Sequence, residues 1–259
     1  MIRVGIGGWT FPPWRGVFYP EGLTQAQELG YAAQRVTAIE INATFYGRQK
    51  PESYVKWRDA TPEGFVFAVK ASRFTTHKRD LAAAGDSIAA FVESGITVLG
   101  EKLGPVLWQF PPTRKFEREP MAAFLGLLPA TQDGIRLRHV VETRHESFAD
   151  AAWMALLRDH GVAHAIIESD KHVLLGDLTA DFAYARLELN SAAAPEGYAS
   201  AALDAWAGRA KAWAGGRADG SLPLAGGAGG AMKRDVFVFF IGGDKVRAPS
   251  AALAFMGRV

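Results

Sequence analysis

The chain has no cysteine and almost no net charge. Without cysteine it has no disulfide scaffold, no thiol nucleophile and no Cys-ligated zinc or iron–sulfur site. Its 29 basic residues nearly balance its 27 acidic residues, which gives a formal net charge of +2. Bulk positive charge therefore gives no reason to expect nucleic-acid binding, although a local basic patch stays open as an alternative.

Long apolar runs are also missing. The longest strongly apolar runs are strand-sized, such as Val236 to Ile241, and no signal-peptide-like apolar region follows Met1. We therefore predict no membrane span and a cytoplasmic protein. The composition is that of a folded domain, because 49% of the residues are hydrophobic and 11% are aromatic, which excludes a disordered chain.

Eight apolar or alternating stretches predict β-strands, and amphipathic helical patterns separate most of them. Strands separated by helices pair in parallel, because parallel neighbours need a long crossover. With 259 residues and no obvious linker, this pattern predicts one α/β domain over residues 1–259, a (β/α)8 TIM-type barrel. An open doubly wound sheet is the alternative. The predicted strands are 3–9, 38–43, 65–71, 105–110, 139–143, 163–168, 182–189 and 235–241.

One segment, at about 214–231, does not fit this alternation, because it is rich in glycine and alanine and has little to bury. Glycine is costly to order, so the segment is predicted to be a flexible insertion before the last strand. A lid over the site is the alternative.

Side chains alternate across a strand, so each barrel strand has one face toward the helices and one toward the interior. In the third predicted strand the wholly apolar set suits the helices, which turns Val66, Ala68 and Lys70 inward. The same reasoning places polar side chains inward at the carboxyl ends of five strands, where (β/α)8 enzymes carry their active sites. These residues are Glu40, Asn42, Lys70, Gln109, Glu142, Arg144, Arg186 and Glu188. The alternative is a structural network in which three cations and three anions neutralise one another.

The loops after the strands add further candidates. Trp9 and Trp14 lie in a segment with five aromatic residues, which predicts either a stacking surface for a sugar or base, or packing of the barrel top. Lys245 and Arg247 follow two glycines after the last strand, a pattern that weakly indicates a phosphate site. No HxH or HExxH spacing is present, so no metal site is predicted, and the cofactor is left open.

Several motifs occur together and in one order along the chain: GGWTFPPWRGVFYP at 7–20, EINATFY at 40–46, W…TP..F.FAVKASR…TH at 57–77, LGPVLWQFPP at 103–112, ETRHESF at 142–148 and YARL at 184–187. The chain thereby resembles the domain-of-unknown-function 72 family, also known as YecE-like proteins, over most of its length. The resemblance implies a (β/α)8 barrel and a site at Glu40, Asn42, Tyr46, Lys70, His77, Gln109, Glu142, Arg144 and Arg186.

The chain departs from the family pattern at two places. Where the family typically has a His-Gly pair after the seventh strand, this chain has Glu188-Leu189. Where the family typically has Phe-Asn-Asn after the eighth strand, this chain has Ile241-Gly242-Gly243. Both departures lie at the predicted mouth of the barrel.

These observations favour an enzyme that uses acid and base residues on a small anionic substrate, phosphorylated or nucleotide-like, with Glu142 and either Glu40 or His77 transferring protons. A metal-dependent hydrolase or isomerase is one alternative, and a non-catalytic protein that binds an anionic ligand or a nucleic acid is another. The predicted substrate-binding residues are Lys70, Arg73, Arg144, Arg186, Asn42, Tyr46, Gln109, Trp9, Trp14, Lys245 and Arg247.

Overall fold

The computed structural model describes residues 1–259 and contains ten strands and nine α-helices, with single turns of 3-10 helix between them. The strands are β1 Ile2–Gly7, β2 Ala38–Ile41, β3 Val66–Lys70, β4 Leu103–Gln109, β5 Thr131–Gln132, β6 Ile135–Arg136, β7 His139–Glu142, β8 Ala163–Glu168, β9 Phe182–Leu187 and β10 Asp235–Phe240. The helices are α1 Gln25–Ala33, α2 Ala43–Tyr46, α3 Pro51–Asp59, α4 Arg73–Thr76, α5 Gly85–Val92, α6 Arg118–Gly126, α7 Ala151–Asp159, α8 Ser200–Ala214 and α9 Ala248–Met256.

Eight of the strands close a parallel barrel in the order β1-β10-β9-β8-β7-β4-β3-β2. The (β/α)8 prediction is therefore confirmed, and each of the eight predicted strands is found within two residues of its expected bounds. The other two strands, β5 and β6, form a short antiparallel hairpin before β7. No helix has both the length and the apolarity of a membrane span; the bent pair Ala82–Val92 and Ile96–Lys102 has them only when its two parts are taken together.

Local sequence signals explain where several helices begin. Asp150 caps α7 through Oδ1, which accepts the backbone N–H of Ala152 at 2.6 Å. Gln27 in the first turn of α1 reaches back so that its Oε1 accepts the N–H of Thr24 at 3.2 Å, a contact typical of a capping box. Both contacts satisfy N–H groups that have no partner within the helix.

The barrel interior has two chemically different halves. Its lower part is filled by apolar side chains and rings, including those of Leu107, Val140, Phe182, Phe237 and Phe239. Gly5 on β1 allows β2 to approach closely, because a Cβ at this position would lie only 2.3 Å from the carbonyl oxygen of Ala38. Above this layer, at the carboxyl ends of the strands, the inward side chains are polar. The alternation of the strand residues thus places the charges at the mouth.

The glycine-rich segment lies at the other end of the barrel, because it connects α8 to the start of β10. It packs on residues 169–181, which join β8 to β9 without a helix. The buried carboxylate of Asp177 accepts two backbone N–H groups of the segment, from Ala225 at 2.8 Å and Gly226 at 2.7 Å. Arg158 donates to the carbonyls of Gly226 and Gly227 at 3.0 and 2.7 Å. These contacts hold the segment at the amino-terminal face, so it is not a lid over the mouth. The sequence predicts a flexible insertion here, and in the structure these four hydrogen bonds attach part of it to the barrel.

Candidate functional site at the carboxyl end of the barrel

Arg186 on β9 is the centre of the polar cluster at the mouth. Its Nε and Nη2 each donate to a different carboxylate oxygen of Glu40 on β2, both at 3.1 Å. Its Nη1 donates to Glu142 on β7 and, at 3.4 Å, to Glu188. Tyr184, two residues earlier on the same face of β9, donates its hydroxyl to Glu40 at 2.7 Å. The guanidinium is therefore fully engaged and only 3% exposed, so it is not available to a ligand as the sequence had suggested.

Glu142 is held by three donors. Its Oε1 accepts from Gln109 Nε2 and from Arg144 Nε, both at 2.6 Å, while its Oε2 accepts from Arg186. Burial alone would raise the pKa of this carboxyl, but the charges of Arg186, Arg144 and Lys70 lower it to about 2. Glu142 is thus an ionised counter-ion at all physiological pH values.

We call these seven inward or rim residues the polar ring: Glu40, Lys70, Gln109, Glu142, Arg144, Arg186 and Glu188. Glu40 and Glu142 are its two fully buried carboxylates, and neither has any exposed surface. Neither carboxylate presents an oxygen to solvent in this structure, and proton transfer by Glu142 or Glu40 stays a prediction from the sequence. Their oxygens instead fix Arg186 and Arg144 in place.

Lys70 on β3 is the cation of the polar ring that has no carboxylate partner. No carboxylate oxygen lies within 4.0 Å of its Nζ, and the ammonium donates no hydrogen bond within the protein. It rests instead on the ring of Phe45, 4.1 Å from the centroid. Burial and the nearby charge of Arg186 lower the pKa of Lys70 to about 8. At pH 8 about half of the molecules therefore carry a neutral amine at this position.

Arg144, just beyond β7, offers the second free cationic group. Its Nε is bound to Glu142, but its two terminal nitrogens donate no hydrogen bond within the protein. The side chain is 24% exposed, far more than that of Arg186. A guanidinium edge that is free and reaches solvent is the usual partner of a carboxylate or phosphate.

A cleft of about 180 Å³ opens at the ends of β1 and β2 and beside the loop after β10. It is lined by Trp9, Asn42 and Lys245, as well as by backbone at Gly7 and Gly8. The ammonium of Lys245 faces the ring of Phe11 at 4.7 Å from the centroid and has no carboxylate within 4.0 Å. The structure therefore brings three of the predicted binding residues to one opening.

Two predicted binding residues are not available to a ligand. Trp14 is fully buried and donates its indole N–H to the backbone carbonyl of Lys245 at 2.8 Å, so it packs the loop and has no free face for stacking. Arg247 turns away from the mouth and donates to the carbonyls of Ala194 and Pro195 at 3.3 and 2.7 Å. It joins the loops after β9 and β10 and does not contribute to an anion site. Periodicity gives no direction for side chains in loops, so the sequence could not show these contacts.

Arg73 and His77 lie on the rim. Arg73 is the first residue of α4, and His77 directly follows that helix. His77 is exposed and its ring meets the edge of Phe45, 5.7 Å between centroids. Partial burial and the charges of Arg73, Lys70 and Arg114 lower the pKa of His77, so the imidazole is neutral at pH 7. Two shallow cavities of about 290 and 280 Å³ adjoin this histidine.

Tyr46 is 68% exposed and meets Phe45 edge to face at 5.2 Å. Phe45 and Tyr184 belong to the site through Lys70 and Glu40, but they were not among the predicted site residues. The strand alternation carried the signal for Tyr184, because it shares a face with Arg186. No three histidine, aspartate or glutamate side chains are grouped as a metal site requires.

The chain matches the model of a known protein family over almost its whole length. A model of the family described as "Protein of unknown function DUF72" matches residues 3–259. The chain belongs to the DUF72 family. The resemblance drawn from the motifs is thereby confirmed.

The curated relatives of this DUF72 chain include UPF0759 protein YecE of Escherichia coli (strain K12), 28% identical over 149 residues that cover 57% of this chain and 50% of YecE. UPF0759 protein YunF of Bacillus subtilis (strain 168) is 32% identical over 127 residues, which cover 47% of this chain and 44% of YunF. The DUF72 chain spans about half the length of the curated relatives it matches.

Among solved structures, a DUF72 family protein from Thermotoga maritima MSB8 is similar over 99% of this chain and 98% of its own, with a TM-score of 0.76 and 24% identity. SacUVDE is similar over the full length of both chains with a TM-score of 0.57, at 9% identity. At these identities the likeness shows the fold, and it agrees with the closed barrel described above.

Proposed function

We propose that this DUF72 chain is an enzyme that acts on a small anionic substrate, phosphorylated or nucleotide-like, at the mouth of the barrel. Lys70 and Arg144 hold the negative charge of the substrate, and His77 transfers a proton. The observation that carries the proposal is that the ammonium of Lys70 and the two terminal nitrogens of Arg144 have no partner in the protein, whereas the ions beneath them are paired. An ionised ligand with oxygens at these two groups would complete their hydrogen bonds.

The charges at the mouth support this assignment. Glu40 and Glu142 are engaged by Arg186 and the Nε of Arg144, so they do not compete for Lys70 or for the terminal nitrogens of Arg144. With Lys245 included, the mouth carries four cations against the three carboxylates of the polar ring. An anion is therefore attracted, and the neutral imidazole of His77 can accept a proton beside it.

The test is a thermal-shift screen of inorganic phosphate, sugar phosphates and nucleotides, followed by a search for turnover of any compound that binds. A ligand at 100 times its Kd stabilises the native state by about 2.7 kcal/mol, which raises the Tm of a chain of this size by roughly 5–10 °C. Lys70→Met should reduce that shift, whereas Lys211→Met, a matched change of an exposed lysine on α8, should leave it intact. If no anionic compound raises the Tm of the wild-type protein, the proposal is refuted.

A second candidate function rests on the cationic surface beside the mouth. Of the two cavities next to His77, one is lined by Arg114, Lys115 and Glu117, and the other by Arg73, Lys78 and Phe74, whose ring is 63% exposed. Basic side chains around an exposed aromatic ring suit single-stranded nucleic acid, which presents phosphates and base faces together.

This candidate predicts binding of single-stranded oligonucleotides whose affinity falls linearly with the logarithm of salt concentration. Replacing Arg73 and Lys115 with alanine should reduce that slope by about two, one for each lost phosphate contact. Binding that is insensitive to salt would argue against this surface.

A further inference from the structure

Lys70 differs from the other cations of the polar ring in its surroundings. Arg186 and Arg144 are both bound to carboxylates, but Lys70 lies on an aromatic ring with no acceptor. The residue is only 7% exposed, yet its Nζ is not among the buried polar atoms that lack a partner, so the nitrogen keeps contact with solvent at the mouth. The nitrogen therefore meets solvent and has no ion pair that would keep it protonated.

We propose that Lys70 is a nucleophile that condenses with the carbonyl group of a small anionic aldehyde or ketone to form an imine. Three features of the site carry this inference: the missing carboxylate partner, the burial of the side chain, and the free guanidinium edge of Arg144 nearby. Lysines that form imines in other proteins are set up in the same way, by an apolar pocket or by neighbouring cations that disfavour the ammonium form.

The reaction balances without any oxidant or reductant. The lone pair of the neutral Nζ forms a bond to the carbonyl carbon, and the carbonyl oxygen takes up the proton that the nitrogen loses. The resulting carbinolamine then loses the second proton of its nitrogen to the departing hydroxyl group, which leaves as water, and a carbon–nitrogen double bond forms. His77 also contacts Phe45, at 5.7 Å between ring centroids, and in this proposal it exchanges the protons of this step through water.

The anionic part of the compound would bind to Arg144 while Lys70 meets its carbonyl group. The inference therefore rests on the proposed function, refines the role of Lys70 in it and narrows its substrate to carbonyl compounds. The charge of Arg144 also acts on Lys70, where with burial and Arg186 it lowers the pKa. At pH 7 a lysine with a pKa of about 8 has roughly 300 times more free amine than one at the ordinary value of 10.5. The same surroundings that keep Lys70 unpaired also make it reactive.

Lys245 provides an internal comparison, because it too has no carboxylate partner and faces aromatic rings. Burial also lowers its pKa, but the first charge acting on it is that of Glu40, which opposes the change. On Lys70, by contrast, the first neighbouring charge is that of Arg186, which adds to the effect of burial. Lys70 should therefore react first.

The experiment is reductive trapping. The full-length protein is incubated at pH 7 with pyruvate or with glycolaldehyde phosphate in the presence of cyanoborohydride, which reduces an imine to a stable secondary amine. Peptide mass spectrometry then locates the modified lysine. We expect Lys70 to be modified at least tenfold faster than the exposed Lys211, with a rate that levels off near pH 8, whereas the rate at Lys211 keeps rising to higher pH. Lys70→Arg keeps the positive charge and should abolish the trapped adduct.

The outcomes separate this inference from the function on which it rests. Modification of Lys70 that inorganic phosphate slows supports both. Phosphate that raises the Tm while Lys70 stays unmodified by both compounds overturns the imine and leaves anion binding in place. Modification that falls first on Lys245, or equally on all lysines, also overturns the inference. Rapid modification of Lys70 that phosphate does not affect supports the nucleophile and refutes the anion site.

Discussion

Replacing Arg186 with methionine removes the guanidinium that Glu40 and Glu142 share. Both carboxylates have no exposed surface, and each would lose its main cationic partner. Removing one partner of a buried ion pair destabilises a protein by about 3–5 kcal/mol, because an uncompensated charge stays in the interior. With two carboxylates affected, we expect a loss of about 5 kcal/mol, which corresponds to a Tm lower by roughly 10–20 °C.

The loss should depend on pH with a defined sign. In the wild type, the pKa of Glu142 is lowered from 4.5 to about 2, so its ionised form contributes stability that is fully present above pH 4.5 and is lost as the pH falls through 2. That contribution is worth about 3 kcal/mol. Without Arg186, burial raises the pKa of the carboxyl, and the variant gains stability when it takes up a proton. The difference between wild type and variant should therefore be largest at pH 7 and shrink toward pH 5.

Urea unfolding followed by tryptophan fluorescence at several pH values measures both effects. Arg118→Met removes an exposed arginine from the first turn of α6 and serves as the control, for which we expect less than about 0.5 kcal/mol. Arg186→Met combined with Glu40→Gln should recover part of the loss, because one buried negative charge is removed. A loss below about 1 kcal/mol at pH 7, or a loss that is the same at pH 5, would refute the view that the carboxylates are counter-ions of Arg186.

Three further predictions concern other parts of the chain. Burial lowers the pKa of His164 to about 4, so the wild type should lose up to about 3 kcal/mol between pH 6.5 and 4, and His164→Gln should lose less in urea titrations over that range. Asp177→Ala removes the acceptor that holds the glycine-rich segment, so trypsin should cut within 215–234 sooner while the barrel stays folded. Gly5→Ala should destabilise by about 3 kcal/mol or more in urea unfolding, whereas Gly30→Ala, which meets only an ordinary contact at 3.5 Å, should not.

The strand pattern was enough to predict the barrel because its two signals agree. The spacing of apolar stretches gave the parallel topology, and the period of two gave the inward face of each strand. Glu40, Lys70, Gln109, Glu142 and Arg186 therefore appear in the structure on the face where the sequence placed them.

The alternation of residues along the strands could not predict which charged side chains form ion pairs within the site. Alternation shows that Glu142 and Arg186 point inward, but it does not show that β7 and β9 bring them into contact. The direction of loop side chains is also not periodic, so Trp14 and Arg247 could not be distinguished from Trp9 and Lys245. In both cases the contacts depend on packing between segments that are distant in sequence.

The two segments that depart from the family pattern, Glu188-Leu189 and Ile241-Gly242-Gly243, lie in contact at the mouth. Gly242 lies against Glu188, where an added Cβ would come within 3.2 Å of the Cβ of Glu188, and a Cβ on Gly243 would come within 2.5 Å of the backbone oxygen of Asn190. Both glycines have positive φ, at 78° and 52°. The two loops are therefore in such close contact that we expect a side chain introduced at Gly242 or Gly243 to require a matching change in the loop that begins at Glu188.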